Sequence, residues 1–219
     1  AEGLAQLPYL VFRRGRWRQQ PIKVQQEIEE VLQYPVFVKP VNLGSSVGIT
    51  KVHEPSELKE GMDEAANYDA KILVEADAAD CREVECAVLG NEDPQASVLG
   101  EIVPGNEFYD YSAKYVDDNS ELIIPAALSE RTTEHVRHMA LDAFRAVDAA
   151  GMSRVDFFVA ADESEVYVNE INTIPGFTPI SMYPKLWQAS GLEYGELIDR
   201  LIQLALERRD DRRQNRSSL

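Results

Sequence analysis

The stretch Arg154–Ser181, RVDFFVAADESEVYVNEINTIPGFTPIS, predicts two strands joined by an acidic turn and followed by a Pro/Gly loop. Both strand segments, 155–160 and 166–171, are rich in β-branched and aromatic residues, and Asp, Glu and Ser form the turn between them. A hairpin centred on Glu163 predicts three cross-strand pairs: Ala160 with Val166, Asp156 with Glu170, and Arg154 with Asn172.

The polar side chains of the last two pairs share one face, because side chains alternate along a strand. Two carboxylates directly opposite each other destabilise a strand pair, and a divalent cation between Asp156 and Glu170 removes that repulsion. Carboxylate and amide oxygens suit Mg²⁺. The pattern therefore indicates a metal site at Asp156, Glu170 and Asn172, and the alternative interpretation is a solvated polar face.

The composition is that of an ordinary globular protein, with 219 residues, 44% hydrophobic and 27% charged. This length allows one large or two smaller domains. A net charge of −16 argues against nucleic acid or an anionic membrane as a partner. No apolar run approaches transmembrane length. Cys81 and Cys86 form no metal-ligand pattern, which makes a reduced, cytoplasmic setting the default prediction.

A glycine- and serine-rich loop, 42–48, follows an apolar strand that ends in Lys39. Backbone amides and hydroxyls in such a loop approach a polyphosphate closely, and Lys39 would add a positive charge beside it. A hairpin turn is the other interpretation of a Gly/Ser loop, and the Walker pattern is not found in the sequence. By itself this loop is a weak signal for nucleotide binding.

Taken together, R-V-D-F-F…N-E-I-N-T-I-P-G-F-T-P-I-S and V-K-P…G-S-S-V-G resemble the D-alanine–D-alanine ligases of the ATP-grasp superfamily. The resemblance covers essentially the whole chain in order. It implies an α+β fold, the ATP-grasp fold, in which two subdomains with antiparallel sheets grip ATP between them. Residues 1–75 would form the central subdomain with the phosphate flap, and residues 76–219 the C-terminal subdomain with the metal and acceptor site. The Rossmann-like N-terminal domain of the family is expected to be absent from this chain.

The resemblance assigns the ATP contacts to residues spread along the chain. They are Lys39 at the α and β phosphates, Ser45, Ser46 and Val47 in the flap, Glu75, Asp77 and Ala78 at adenine, Glu83 at the ribose, Lys114 at the γ-phosphate, and Glu170 between two metal ions. The segment 75–80 departs from the family pattern, which often has a bulkier apolar residue there. Glu85, which shares a face with Glu83 by alternation, is expected to be a strand neighbour without a role of its own.

The activity implied is an ATP-dependent, ADP-forming ligation of two D-alanines through D-alanyl phosphate, in peptidoglycan precursor synthesis. Two Mg²⁺ ions would be bound by Asp156, Glu170 and Asn172, with Mn²⁺ as a possible substitute and a K⁺ requirement left open. The catalytic residues implied are Arg154 and the backbone N–H of Gly176 at the oxyanion, together with Lys114 and Ser45. The second substrate would contact Tyr115, Gly176, Ser181 and Met182.

Two alternatives remain open from the sequence. The chain could be a non-catalytic fragment that only binds nucleotide, or another carboxylate–amine ligase of the same superfamily, of the D-Ala–D-lactate or D-Ala–D-Ser type. The pair Lys114-Tyr115 resembles dipeptide ligases, because relatives that make D-alanyl-D-lactate typically carry histidine in the corresponding loop. The expected partner is D-alanine, with no nucleic acid or membrane, and the full-length protein is expected to be a homodimer in the bacterial cytoplasm.

Overall fold

The computed structural model describes residues 3–44, 46–78, 80–103 and 121–214, which form helices and two antiparallel sheets. The predicted α+β class with two antiparallel sheets is therefore confirmed. The described residues divide into two compact units, one of residues 7–78 and the other of residues 3–6, 80–103 and 121–214. That these parts are the central and C-terminal subdomains, divided after residue 75, stays a prediction.

The unit of residues 7–78 contains a four-stranded sheet in the order β1-β4-β2-β3, in which all neighbours are antiparallel. Its elements are β1 (Tyr9–Arg13), α1 (Arg14–Gln19), α2 (Pro21–Val31), β2 (Val36–Pro40), β3 (Thr50–Val52), α3 (Leu58–Tyr68) and β4 (Lys71–Ala76). Strand β2 alternates buried Val36 and Val38 with the less buried Phe37 and Lys39, so the valines enter the core and the other two side chains occupy the opposite face.

The other unit contains a five-stranded antiparallel sheet in the order β7-β6-β5-β8-β9. Its elements are β5 (Cys81–Gly90), β6 (Gln95–Val103), β7 (Glu121–Ile123), α4 (Glu130–Ala146), β8 (Gly151–Ala160), β9 (Val166–Asn172), α5 (Met182–Ala189) and α6 (Tyr194–Arg212). Helix α4 begins after Ser129, whose side chain accepts a hydrogen bond from the Thr132 N–H. Among the described residues, none of the helices is both long enough and apolar enough to span a membrane.

Helices pack on both faces of this sheet. The apolar side of α4 joins one core with the inward residues of β5 and β8, among them Phe144, Val84 and Phe157. On the opposite face α5 approaches β6 so closely that a Cβ at Gly100 would lie 2.9 Å from atoms of both Met182 and Leu186. The sheet face that carries α5 also carries the predicted metal ligands.

The β8–β9 hairpin contains a bulge that does not follow from the sequence. Six cross-strand pairs define its register: Val159 with Val166, Phe158 with Tyr167, Phe157 with Val168, Asp156 with Glu170, Val155 with Ile171, and Arg154 with Asn172. The predicted pairing of Ala160 with Val166 is wrong by one residue. The other two predicted pairs are confirmed, because Asn169 is an additional residue on β9 that restores the register.

The bulge changes which face of the sheet β9 presents. Val166 and Val168 are buried in the core with α4, and Ile171 packs against the same core. In a regular strand, Glu170 would share the face of Val166 and Val168, because side chains repeat every two residues. With one extra residue, the same strand supplies apolar side chains to the core near the turn and polar side chains to the opposite face beyond it.

Hydrogen bonds connect the turn of this hairpin to the start of α4. Glu163 has a φ of 60°, and its two carboxylate oxygens accept hydrogen bonds of 3.2 and 3.1 Å from the Ser129 N–H. The Arg82 guanidinium lies 3.9 Å from the same carboxylate. Hydrogen bonds from Ser129 and Thr132 lower the pKa of Glu163, so its ionised form is the one that holds the turn.

We expect Glu163→Gln to lower the melting temperature by a few degrees at pH 7 and to have less effect in acid. A lowered pKa in the folded state means that the carboxylate stabilises the fold above its ordinary pKa of 4.5, and that this contribution is lost as the pH falls through the folded-state pKa. Thermal unfolding followed by circular dichroism at several pH values checks this. Glu165→Gln, on the same turn, is the control, and a difference from the parent chain that does not change with pH would contradict the prediction.

The turn between β5 and β6 requires glycine at its first position. Gly90 has a φ of 146°, and a Cβ there would lie 2.7 Å from Pro94 Cα and 3.0 Å from the Asp93 carbonyl oxygen. We expect Gly90→Ala to lower the free energy of unfolding by about 2 kcal/mol, as strained backbone positions of this kind do. Urea denaturation measures it. Gly195→Ala in α6, where a Cβ meets no atom within 4 Å, should keep or raise the free energy of unfolding, by up to about 1 kcal/mol, because alanine favours a helix over glycine; equal midpoints for the two variants would refute the claim.

Candidate active site

Three carboxylates lie side by side across the middle of the five-stranded sheet. Asp156 on β8 is the cross-strand partner of Glu85 on β5 and of Glu170 on β9. Directly opposed residues share a face, so all three carboxylates lie on the face that carries α5. Glu85 and Asp156 are buried, at 5% and 9% exposure, whereas Glu170 is exposed. We call these three residues the carboxylate row.

Arg154 lies beside this row and pairs with two of its carboxylates. Its Nε and one terminal nitrogen donate to the two oxygens of Asp156, each at 2.7 Å, and Nε also lies 3.1 Å from Glu85 Oε2. Burial opposes the charge of Arg154, but the adjacent carboxylates outweigh it and raise the pKa of its guanidinium. The three carboxylates of the row outnumber the Arg154 guanidinium, and this excess of negative charge suits a divalent cation.

Asn172 connects two members of the row. Its Nδ2 donates to Asp156 Oδ2 and to Glu170 Oε1, each at 3.1 Å. The Nδ2 atom therefore contacts both carboxylates. A cation in that position would also contact both, with the Asn172 amide turned to present its oxygen. The direction of such an amide is inferred from its hydrogen bonds. The predicted metal ligands are thus brought together on one face.

The donor set fits Mg²⁺ better than a softer metal. In the part of the chain that the structure describes, no three side chains of His, Cys, Asp or Glu converge on a metal position. Two carboxylates and an amide supply oxygen only, and Mg²⁺ characteristically takes one or two protein carboxylates together with waters and substrate phosphates. This matches the predicted set of Asp156, Glu170 and Asn172.

The loop after β9 brings the predicted acceptor residues close to each other. Ser181 Oγ accepts a hydrogen bond of 3.1 Å from the Thr178 N–H and lies 2.9 Å from Thr178 Oγ1. A Cβ at Gly176 would lie 3.1 Å from Ser181 Oγ, so this approach is easiest with glycine. Met182 follows as the first residue of α5, and its side chain is buried against Gly100.

In the unit of residues 7–78, two predicted nucleotide contacts form an ion pair. Lys39 Nζ on β2 lies 2.5 Å from Glu75 Oε2 on β4, and both side chains are largely buried. Asp77, which follows β4, lies 3.2 Å from Lys51 Nζ. Both lysines lie near the Phe37 ring, with Nζ 6.0 Å and 5.6 Å from its centroid. This face therefore carries two lysine–carboxylate ion pairs beside an aromatic ring.

The structure gives less detail for the other predicted site residues. Ser46 has a φ of 58°, and the N–H of Val47 donates to the Gly44 carbonyl at 3.3 Å, so both belong to a turn. Glu83 on β5 is the cross-strand partner of Phe158 and lies two residues from Glu85, on the same face. Ala78 ends the described segment after β4. Ser45, Lys114 and Tyr115 lie outside the described residues.

Two charged residues of these faces are not predicted from the sequence as part of a site. Lys51 is opposite Phe37, and alternation along the strand could have indicated it. Glu85 is expected from the sequence to be only a strand neighbour, yet it is an ion-pair partner of Arg154. The pairing of β5 with β8, which creates this contact, joins residues about 70 positions apart and has no local signal.

Comparison with known proteins gives one consistent family. A family model described as D-ala D-ala ligase C-terminus matches residues 1–203. The D-alanine–D-alanine ligase of Acetivibrio thermocellus is 55% identical over 209 residues, which are 95% of this chain and 55% of that protein. That of Clostridium acetobutylicum is 53% identical over 205 residues, 94% of this chain and 60% of the relative.

Solved structures agree with these matches. The D-alanine–D-alanine ligase from Coxiella burnetii superposes with a TM-score of 0.83 at 39% identity, over 97% of this chain and 55% of that one. A D-Ala:D-Ser ligase from Enterococcus faecalis superposes with a TM-score of 0.82 at 35% identity, over 93% and 57%. The chain spans little more than half the length of the proteins it matches.

Proposed function

The chain belongs to the D-alanine–D-alanine ligase family, as the counterpart of the C-terminal part of these enzymes, and we propose that it carries the ATP, metal and acceptor residues of such a ligase. Its α+β fold is the ATP-grasp fold of that family. Because the chain spans about half of each relative's length, the joining of two D-alanines is proposed for a polypeptide of the relatives' length.

The observation that carries the proposal is the pair of directly opposed carboxylates, Asp156 and Glu170, bridged by the Asn172 amide. Opposed carboxylates weaken a strand pair unless a cation neutralises them. Bound there, two Mg²⁺ ions would neutralise the triphosphate of ATP and hold its oxygens in line for phosphoryl transfer. A solvated polar face does not account for a buried Asp156 at the centre of the row.

The reaction proceeds in two steps. A carboxylate oxygen of the first D-alanine forms a bond to the γ-phosphorus of ATP, and ADP leaves, which gives D-alanyl phosphate. The amine of the second D-alanine then attacks the carbonyl carbon, loses a proton, and the phosphate leaves. Arg154 and the Gly176 N–H would stabilise the oxyanion of this step, each by about 3–4 kcal/mol as single oxyanion donors do. The Ser181 hydroxyl would hold the acceptor's carboxylate and thereby orient its amine.

The nucleotide contacts implied by the family resemblance stay proposals. Lys39 would contact the α and β phosphates, and its ion pair with Glu75 keeps the lysine extended along the strand face until a phosphate arrives. The other assignments are Ser46 and Val47 in the flap, Asp77 and Ala78 at adenine, Glu83 at the ribose, and Ser45, Lys114 and Tyr115 from the segments outside the described residues. We further propose a cytoplasmic, dimeric enzyme of peptidoglycan precursor synthesis.

The test is D-alanine-dependent phosphate release from ATP in the presence of Mg²⁺. It compares this chain with a polypeptide extended to the length of the relatives, and it offers D-serine, D-lactate and L-alanine as alternative acceptors. We expect release with D-alanine from the extended polypeptide. Release with D-serine or D-lactate instead would replace the substrate assignment with that of a related ligase. No release with any acceptor would reject the ligase proposal and favour a protein that only binds nucleotide.

A further inference from the structure

Glu85 is a buried carboxylate that the proposed reaction does not use. It lies on the central strand of the five-stranded sheet with 5% exposure. On one side its cross-strand neighbour is Gly100, which has no side chain, and on the other it is Asp156. Buried carboxylates are rare unless paired, and the Arg154 guanidinium approaches Glu85 to 3.1 Å.

In the proposed function, the Asp156 carboxylate has to bind both the Arg154 guanidinium and a Mg²⁺ ion. In this structure both of its oxygens accept hydrogen bonds from Arg154, at 2.7 Å, and the same oxygens are the proposed metal ligands. A divalent ion on Asp156 repels the guanidinium and competes for its acceptors. Arg154 must then loosen from Asp156, and a buried guanidinium that loses its carboxylate is strongly disfavoured unless another one takes over.

Glu85 lies where its carboxylate can replace Asp156 as the partner of the Arg154 guanidinium. Nε of Arg154 donates a hydrogen bond to Asp156 Oδ1 at 2.7 Å, and Glu85 Oε2 lies 3.1 Å from the same nitrogen. A small rotation of the guanidinium lengthens the first contact and shortens the second. Glu170, the third carboxylate of the row, cannot serve in the same way because it is itself a proposed metal ligand.

We propose that Glu85 is a positioning residue, which retains the Arg154 guanidinium on this face when a Mg²⁺ ion binds Asp156. The inference rests on the proposed function, since it takes Mg²⁺ binding at Asp156 and Glu170 as its starting point. It explains how Arg154 pairs with Asp156 without the metal and remains available to an oxyanion when the metal is bound. Partners behind the direct ligands commonly control metal sites in this manner.

The Nε–H resonance of Arg154 in nitrogen-15 NMR spectra of this chain reports the contact directly. Arg154→Lys removes the resonance and so identifies it. In the unsubstituted chain we expect the signal to be present without Mg²⁺ and, shifted, with saturating Mg²⁺ and ADP. In Glu85→Gln it should be present without Mg²⁺, because Asp156 still accepts it, and lost to exchange with water once Mg²⁺ and ADP are added. Glu85→Asp should retain it in both conditions.

Backbone amide shifts of β9 report Mg²⁺ binding in the same samples. In Glu85→Gln, Arg154 competes for Asp156, so these shifts should require on the order of 10-fold more Mg²⁺. The matched control is Glu101→Gln, which removes a carboxylate that pairs with Arg82 (2.8 and 2.6 Å). Glu101 is opposite the core residue Val84 and so lies on the other face of the sheet, and this variant should leave the Arg154 signal and its response to Mg²⁺ unchanged.

Three results would overturn the inference. If the Nε–H signal persists in Glu85→Gln with Mg²⁺ bound, Glu85 does not retain Arg154, and the proposed metal site is unaffected. Loss of the signal in Glu85→Gln already without Mg²⁺ would assign Glu85 to holding Arg154 in every state. Absence of any Mg²⁺-dependent change in the unsubstituted chain would instead reject the metal site itself, and the inference with it.

Discussion

Replacing Asp156 with asparagine is expected to remove Mg²⁺ binding from the carboxylate row and to reduce ligase activity by at least about 100-fold. The loss should exceed the 10- to 100-fold typical of residues behind a metal ligand, because a direct ligand and its charge are removed. The fold should survive, since the variant side chain has nearly the same volume and Arg154 keeps its contact with Glu85, at 3.1 Å. The variant also removes the repulsion between Asp156 and Glu170.

The measurements are D-alanine-dependent phosphate release from the extended polypeptide and a Mg²⁺ titration of this chain in the presence of ADP. Asp162→Asn is the matched control, because Asp162 lies in the turn of the same hairpin and its carboxylate accepts hydrogen bonds from Ser164. That variant should retain activity and Mg²⁺ binding. If both variants bind Mg²⁺ as the parent chain does, Asp156 is not a metal ligand.

Deleting Asn169 is expected to leave both faces of β9 in place, because it removes the one residue that interrupts the alternation of this strand. In the shortened strand, Val168 is still opposite Phe157 and Glu170 is still opposite Asp156, as in the parent chain. The valines therefore stay in the core, and Glu170 stays beside Asp156. We expect the free energy of unfolding to change by no more than about 1 kcal/mol and Mg²⁺ binding to be retained.

Asn169→Ala separates the additional residue from its side chain. It preserves the residue count, so the bulge and both faces of β9 should remain, and the free energy of unfolding should stay within about 1 kcal/mol of the parent chain. Urea denaturation and Mg²⁺ titration of the two variants provide the comparison. A deletion variant that loses its Mg²⁺ response, or about 3 kcal/mol or more of stability, would show that the bulge itself is needed for the site.

The central hairpin shows how far the sequence alone predicts this site. Alternation and turn chemistry place Asp156 opposite Glu170 and Arg154 opposite Asn172, and the structure confirms both pairs. The pairing at the turn is one residue out, because the sequence offers no local sign that Asn169 is accommodated in a bulge. The burial of Val166 and Val168 under α4 decides that point, and it is a property of the packed sheet.

Contacts between distant strands are the part that sequence patterns do not predict. Lys39 and Glu75 are each expected from the family resemblance to contact ATP, but their ion pair depends on β2 lying beside β4 in the sheet. Glu85 joins the carboxylate row only because β5 pairs with β8. Charge and alternation assign such residues to a strand face, and the sheet order then determines which charges meet.

The position of the bound metal tests the central claim most directly. Crystals of this chain grown with Mn²⁺ and ADP, measured at the manganese absorption edge, would reveal the ion by its anomalous scattering. We predict a peak about 2.0–2.3 Å from carboxylate oxygens of both Asp156 and Glu170, with the Asn172 amide turned to present its oxygen. An anomalous peak elsewhere, with Arg154 still holding both oxygens of Asp156, would contradict the assignment of this face as the metal site.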